Sequence, residues 1–211
     1  MKPAHGTRQR LGKGRWGVFS GEGRCARKRI IAAILVAIVM FSPSPMARAQ
    51  ANPPSEYGLK AAFLFNFAKF VEWPQGNSQS FFSVCILGKD PFGPLLDHAL
   101  SNKRIADRPV VIERLKDKSE ARGCQMVFVS SQESTPLAEI LENLRGANVL
   151  LVGETNGFAS SGGTIEFTLD EDNQVRFTIN TDAVSRAGLT FSSNLLALAK
   201  IVHDQRHSKG G

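Results

Sequence analysis

The residues whose types and spacing suggest chemistry begin at Gly157. The stretch GFASSGGTIEF (157–167) approaches the Gly-x-x-x-x-Gly-Lys-Ser/Thr pattern that cradles phosphates, but Gly163 stands where the lysine belongs and a strand follows instead of a helix. The pattern therefore argues against a nucleotide site, and its glycines serve as backbone joints. Phe158, between Gly157 and Ala159, is either displayed for recognition or a core plug. GKDPFG (88–93) leads into a short helix, so its amides together with Lys89 form a weak anion-binding candidate. His203 and His207 stand four apart, the spacing of a zinc pair, yet no third ligand lies nearby and Asp204 replaces the glutamate of a zinc protease, which favours a solvated tail. His98 is alone on its helix. Asp170, Glu171 and Asp172 sit at a turn without the spacing of a calcium loop. No nucleophile, base and oxyanion site assembles from these parts, which points to a chain that is not an enzyme, with no metal and no cofactor.

The elements that hold these residues begin after a leader. A basic cluster, RCARKR (24–29), precedes the apolar run IIAAILVAIVMF (30–41), and Ala47-Arg48-Ala49 provides a cleavage site. That order is a secretory signal, and the apolar run is shorter than the roughly 20 residues a membrane-spanning helix needs. The expected organisation is a discarded segment over residues 1–49 and one α/β domain over 50–211. The discarded segment carries +9, so the +7 of the whole chain becomes −2 for the rest, and the basic character gives no support for nucleic-acid binding. Cys85 and Cys124 remain as an even pair. In an oxidising compartment a disulfide is the default for them, with two buried thiols as the alternative.

In YGLKAAFLFNFAKFVEWP, Leu59, Phe63, Phe67, Phe70 and Val71 share a helical face, and Leu64, Phe65 and Ala68 make the helix apolar nearly all round. Such a helix is enclosed, either within the monomer or against a second subunit. FFSVCIL, RPVVIERL, CQMVFVS and ANVLLVGE read as strands, and PLLDHALSN and TPLAEILENLRG as helices. Their alternation predicts a mainly parallel sheet flanked by helices. TIEFTLD and QVRFTIN alternate around EDN as a hairpin, with Glu166 and Arg176 facing away from the core. A short helix, a break at Gly188 and a closing helix with Ser192 or Ser193 as N-cap complete the chain.

KAAFLFNFAKFVEWP, VCILGKDPFG, RPVVIERL, CQMVFVS, VGETNGFASSGGTIEF and VRFTINTDAVSRAGLTFSSNLLALAKIV, in this order from about residue 57 to 203, resemble the YfiR family of periplasmic regulators. The resemblance implies a non-catalytic α/β repressor, often dimeric. It would bind the periplasmic sensor part of an inner-membrane diguanylate cyclase and be titrated by an OmpA-like outer-membrane lipoprotein. It also implies that Cys85 and Cys124 form the family's structural disulfide, while the family's further cysteine pair is missing. It places the partner contacts at Phe158, Glu166, Arg176, Val184 and Arg186. The alternative is a periplasmic small-molecule-binding module with its cleft at the carboxyl ends of the parallel strands.

Overall fold

The computed structural model describes residues 55–74 and 79–204; the leader, its cleavage site and His207 lie outside the described residues. The first helix, α1, spans Glu56–Phe70, and Ser55 caps it by accepting a hydrogen bond from the Gly58 amide at 3.2 Å. The helix ends at Val71, which begins the two-residue strand β1 (Val71–Glu72) paired antiparallel with β9 (Thr190–Phe191). Its buried face is Ala61, Leu64, Phe67 and Ala68; of the expected stripe Phe67 and Val71 are buried, Leu59 and Phe63 pack half-buried against the core, and Phe70 is exposed. A helix apolar nearly all round leaves the choice of face to its partner. The sheet takes the side on which two alanines permit close approach. Phe67 then packs at ring-centroid distances of 5.6 and 5.0 Å on Phe167 and Phe177 of the hairpin.

Strands β2 (Phe82–Leu87), β4 (Arg108–Leu115), β5 (Met126–Val129), β6 (Leu150–Gly153) and β7 (Ile165–Leu169) run parallel, in the spatial order β4-β2-β5-β6-β7. β3 (Arg104–Ile105) adds antiparallel at one edge. β8 (Val175–Asn180) forms the expected antiparallel hairpin with β7. Apolar runs such as FSVCIL are buried along their whole length because both sheet faces are covered. One face carries α1 and α2 (Pro94–Leu100) over a core with Leu64, Phe82, Phe92 and Phe128. The other carries α3 (Leu137–Asn143) and the 3-10 turn Lys118–Gly123 over a smaller core with Val127, Leu151 and Phe158.

After α4 (Thr181–Arg186), the expected closing helix is one turn, α5 (Ser193–Leu196), capped by Ser192. The chain then extends as β10 (Lys200–Val202), parallel to β8 at the edge of the eight-stranded sheet. The run ALAKIV suits helix or strand equally by periodicity. The open edge of β8 decides for strand, since its backbone groups require partners.

Cys85 of β2 and Cys124, just before β5, form a disulfide with Cα atoms 6.2 Å apart, closing a separation of 39 residues. Replacing both cysteines by alanine is expected to lower the unfolding free energy by about 2–4 kcal/mol, given the chain entropy such a loop restricts. Urea denaturation of both forms measures it, and a shift below about 1 kcal/mol would show that the bond adds little beyond the packing of the two strands.

Candidate functional site

The loop from β6 to β7 answers the phosphate-loop pattern directly. Gly157 and Gly162 adopt positive φ angles of 77° and 110°, and the loop turns tightly enough for the Gly157 and Ala159 amides to converge on one carboxylate. That carboxylate is Glu166 of β7, accepting from Gly157 N at 3.0 Å and from Ala159 N at 2.9 Å. The anion in this nest is a side chain of the protein itself. Glu166 faces away from the core that holds Ile165 and Phe167, as alternation predicts, but it is 5% exposed, so the expectation of a solvent-facing charge is corrected. Period two places Glu166 on the face opposite Phe167 correctly, but the loop covers that face too.

Phe158 is the plug of the smaller core, 4% exposed, with its ring between Gly153 and Gly163. A Cβ at either glycine would lie 2.6 or 2.2 Å from the ring, so both positions exclude side chains. Gly163→Ala should therefore destabilise the fold by about 1–3 kcal/mol through overpacking, and Phe158→Ala by about 3–5 kcal/mol through the cavity it leaves. Thermal and urea unfolding check both.

Of the remaining sequence candidates, Val184 is buried on α4, while Arg176 and Arg186 reach the surface. Arg176 pairs with Asp170 at 2.9 Å near the hairpin turn. Arg186 pairs with Asp204 and donates to the Gly162 carbonyl at 3.4 Å, on the rim of a groove of about 700 Å³ between α3, the loop and α4. The structure thus joins Phe158, Glu166 and Arg186 around one loop and leaves Arg176 farther out on the hairpin.

Sequence reasoning missed Asn180. It is fully buried, donates to the Ala159 carbonyl at 2.6 Å and to Asp204 at 2.7 Å, and its side-chain oxygen caps α4 through the Asp182 and Ala183 amides. One side chain ties the loop, α4 and the end of β10 together. Its position before Thr-Asp is a legible N-cap signal, but its other two partners lie more than 20 residues away.

The weaker candidates resolve as follows. Asp90 accepts from the Phe92 and Gly93 amides at 2.7 and 3.3 Å and pairs with Arg114, so the GKDPFG turn is filled by its own acid. His203 lies just past a strand and contacts Thr181 and Asp182 at 3.2 and 3.1 Å. Among the described residues no group of three or more His, Cys, Asp or Glu could hold a metal.

At the carboxyl ends of β2 and β5, where strand order reverses, Glu133 lies so close to Gly88 that an added Cβ would stand 2.9 Å from it. A cavity lies at the carboxyl ends of β5, β6 and β7, walled by the start of α1. Lys60 of α1 sits there 4% exposed, 2.7 Å from Glu154 at the end of β6 and 2.6 Å from Glu56. Glu154 also accepts from the Tyr57 hydroxyl at 3.2 Å and the Ser131 hydroxyl at 3.0 Å. Burial alone would lower the Lys60 pKa, but hydrogen bonds to Glu154 and Glu56 outweigh it and raise it. Burial likewise opposes ionisation of Glu154, and the Lys60 ammonium overcomes it, holding the carboxyl below its usual range.

A family model described as YfiR/HmsC-like matches residues 57–200. The chain belongs to the YfiR/HmsC-like family. That family is a regulatory one, associated with the periplasm and with control of a diguanylate cyclase. Solved structures similar to this chain include a conserved domain protein from Vibrio cholerae O1 biovar El Tor, at 10% identity and TM-score 0.47 over 69% of this chain and 59% of that one. Another is the ABC domain in complex with L-Trp from Streptococcus pneumoniae, at 9% identity and TM-score 0.48 over 67% and 60%. The chain spans about three fifths of the length of each, and neither likeness bears on function. Among the described residues no helix is long and apolar enough to cross a membrane.

The Lys60–Glu154 pair sets a pH dependence with a defined sign. A depressed carboxylate pKa gives stability that is complete above the unfolded value and is lost as pH falls through the folded one. A raised lysine pKa gives stability that is complete below the unfolded value and is lost as pH rises through the folded one. The pair therefore contributes fully across neutral pH. Lys60→Met leaves Glu154 buried without its cation, a cost of about 3–5 kcal/mol near neutrality. Melting curves from about pH 3 to pH 8 should show the gap between variant and parent shrinking on the acid side, where Glu154 takes up a proton.

Proposed function

We propose that this chain is a non-catalytic periplasmic repressor that binds the periplasmic sensor part of an inner-membrane diguanylate cyclase, lowering cyclic di-GMP and with it biofilm formation. The observation that supports this reading is the family match across residues 57–200. The Cys85–Cys124 disulfide adds to it, because such bonds persist in oxidising compartments. On this reading residues 1–49 are the removed leader, the working form is a homodimer, and an OmpA-like outer-membrane lipoprotein titrates the repressor away.

Within the partner surface, Arg176 and Arg186 present the charge, and Phe158, Glu166 and Val184 shape the loop and helix beneath. The groove beside Arg186 offers apolar floor for a partner segment. Repression follows from linkage: a repressor that prefers the inactive sensor conformation shifts the population toward it, and a switch from mostly on to mostly off needs about 5.5 kcal/mol of differential binding. The alternative reading, a periplasmic small-molecule-binding module, is supported by the cavity at the carboxyl ends of the parallel strands.

The test is cellular cyclic di-GMP in a deletion strain, complemented with the exported protein or with a leaderless copy. Deletion is expected to raise cyclic di-GMP and only the exported copy to restore it. No rise under conditions where the protein is expressed would sink the repressor reading. Arg176→Glu combined with Arg186→Glu should abolish restoration while the circular dichroism of the purified variant stays native, and full restoration by this variant would remove both arginines from the partner surface.

A further inference from the structure

We propose that the outer face of α1, together with the β3–β4 hairpin beside it, docks on a bilayer surface bearing anionic phospholipid headgroups. Helix α1 turns Ala61, Leu64, Phe67 and Ala68 to the sheet, yet its opposite side is not polar. That side carries Ala62, Phe65, Asn66, Lys69 and Phe70, with Phe65 half-buried and Phe70 39% exposed. At 3.6 residues per turn the two phenylalanines border the outward face and Lys69 stands between them. A single exposed aromatic is ordinary, but two on the outer face of one helix mark a surface that meets something less polar than water.

The ionic groups that join this face are of one sign. Lys69 and Lys103, both exposed, hold their ammonium groups 5.6 and 5.4 Å from the centroid of the same Phe65 ring. Lys103 leads into the β3–β4 hairpin, and its carbonyl accepts from Val110 N at 3.0 Å. The hairpin reverses through Ala106 and Asp107 at positive φ angles of 45° and 60°, which sets Arg108 opposite the buried Ile105 and so on the α1 side of the sheet. The Arg108 guanidinium lies 5.4 Å from the Phe82 ring centroid, and its Nη1 is buried without an acceptor. Among the described residues none of these three bases pairs with a carboxylate, whereas Lys60, Arg114, Arg176 and Arg186 each do. The acids of the same elements are Glu56 at the far end of α1, already paired with Lys60, Glu72 in β1 and Asp107 in the turn.

The one-sided charge selects the occupant. A second copy docked through this face about a two-fold axis would set Lys69 and Lys103 near the same residues of its mate, with no acid to neutralise them. An acidic peptide would answer the lysines and leave the phenylalanines in water. A bilayer with anionic headgroups answers both, since phosphates meet the bases while Phe70 enters the interfacial layer. Beyond residue 49 the chain carries a net −2, so this corner and not the overall charge sets the orientation of docking. Each base near such a surface improves partitioning roughly fivefold, which makes the attachment weak, reversible and sensitive to salt. The assignment goes beyond repression; joined to that reading, it keeps the repressor on the membrane in which its proposed partner is anchored.

The experiment is flotation of the purified mature protein with vesicles of phosphatidylcholine, alone or with about 30% phosphatidylglycerol. Binding to the anionic vesicles only is expected, with release at about 0.5 M salt. Lys69→Glu combined with Lys103→Glu should lower the partition coefficient at least roughly thirtyfold, and Phe70→Ser should lower it while leaving the salt dependence in place. These are exposed side chains, and native circular dichroism verifies the fold of each variant. Lys116→Glu combined with Lys200→Glu makes the same change in net charge past the other end of β4 and at the other edge of the sheet, and should keep vesicle binding. Equal binding to both kinds of vesicle, equal loss in the two double variants, or undiminished binding after reversal of Lys69 and Lys103 would each overturn the proposal. A dimer that Phe70→Ser splits while vesicle binding persists would assign the face to a second copy instead. Saturable binding of polyglutamate without vesicle binding would assign it to an acidic protein segment. The vesicle assay contains no cyclase, so its failure leaves the repressor reading untouched, and failure of the cyclic di-GMP test leaves the vesicle result standing.

Discussion

Glu166 is a buried carboxyl group held by two backbone amides of its own neighbouring loop. Its two oxygens are satisfied by backbone amides bent toward them, and the bend uses the positive φ of Gly157 and Gly162. The bent loop in turn drives Phe158 into the smaller core and presents the Ala159 carbonyl to Asn180. Through Asn180 the same constraint reaches α4, Asp204 and the edge strand β10. Much of the second half of the fold is thus organised around one internal anion.

The first half depends on a different electrostatic bond. Lys60 and Glu154 are 94 residues apart in the chain and fasten α1 to the end of a central strand. A buried pair of this kind adds little net energy over an apolar contact, but losing one partner is costly. It therefore fixes the placement of the helix more than it raises overall stability.

Much of this architecture is legible in the sequence, and what is not has physical causes. The strands around Cys85, Val110, Val127 and Leu151 announce themselves as apolar runs, and the hairpin does so by alternation between Ile165 and Ile179. The inward face of α1 is not legible because Leu59, Phe63 and Phe70 compete on hydrophobicity with Leu64 and Phe67. Alternation gives the face Glu166 points to, yet cannot say whether that face is covered. Lys60 reads as a solvated lysine until its partner at position 154 is brought beside it. The strand Lys200–Val202 is assigned by the vacant edge of β8, a feature that exists only after the hairpin forms.

That edge strand has a bearing on how the protein is made. Because β10 is the last element among the described residues and covers the backbone of β8, the sheet stays open on one side until those residues have been synthesised. A nascent or prematurely ended chain lacking Lys200–Val202 exposes a row of unpaired amides and carbonyls beside the aromatic hairpin, a template for association with other strands. The disulfide, by contrast, closes between β2 and β5, well before that point. Covalent closure can precede the sealing of the sheet, so an oxidised chain is not by that fact a finished one.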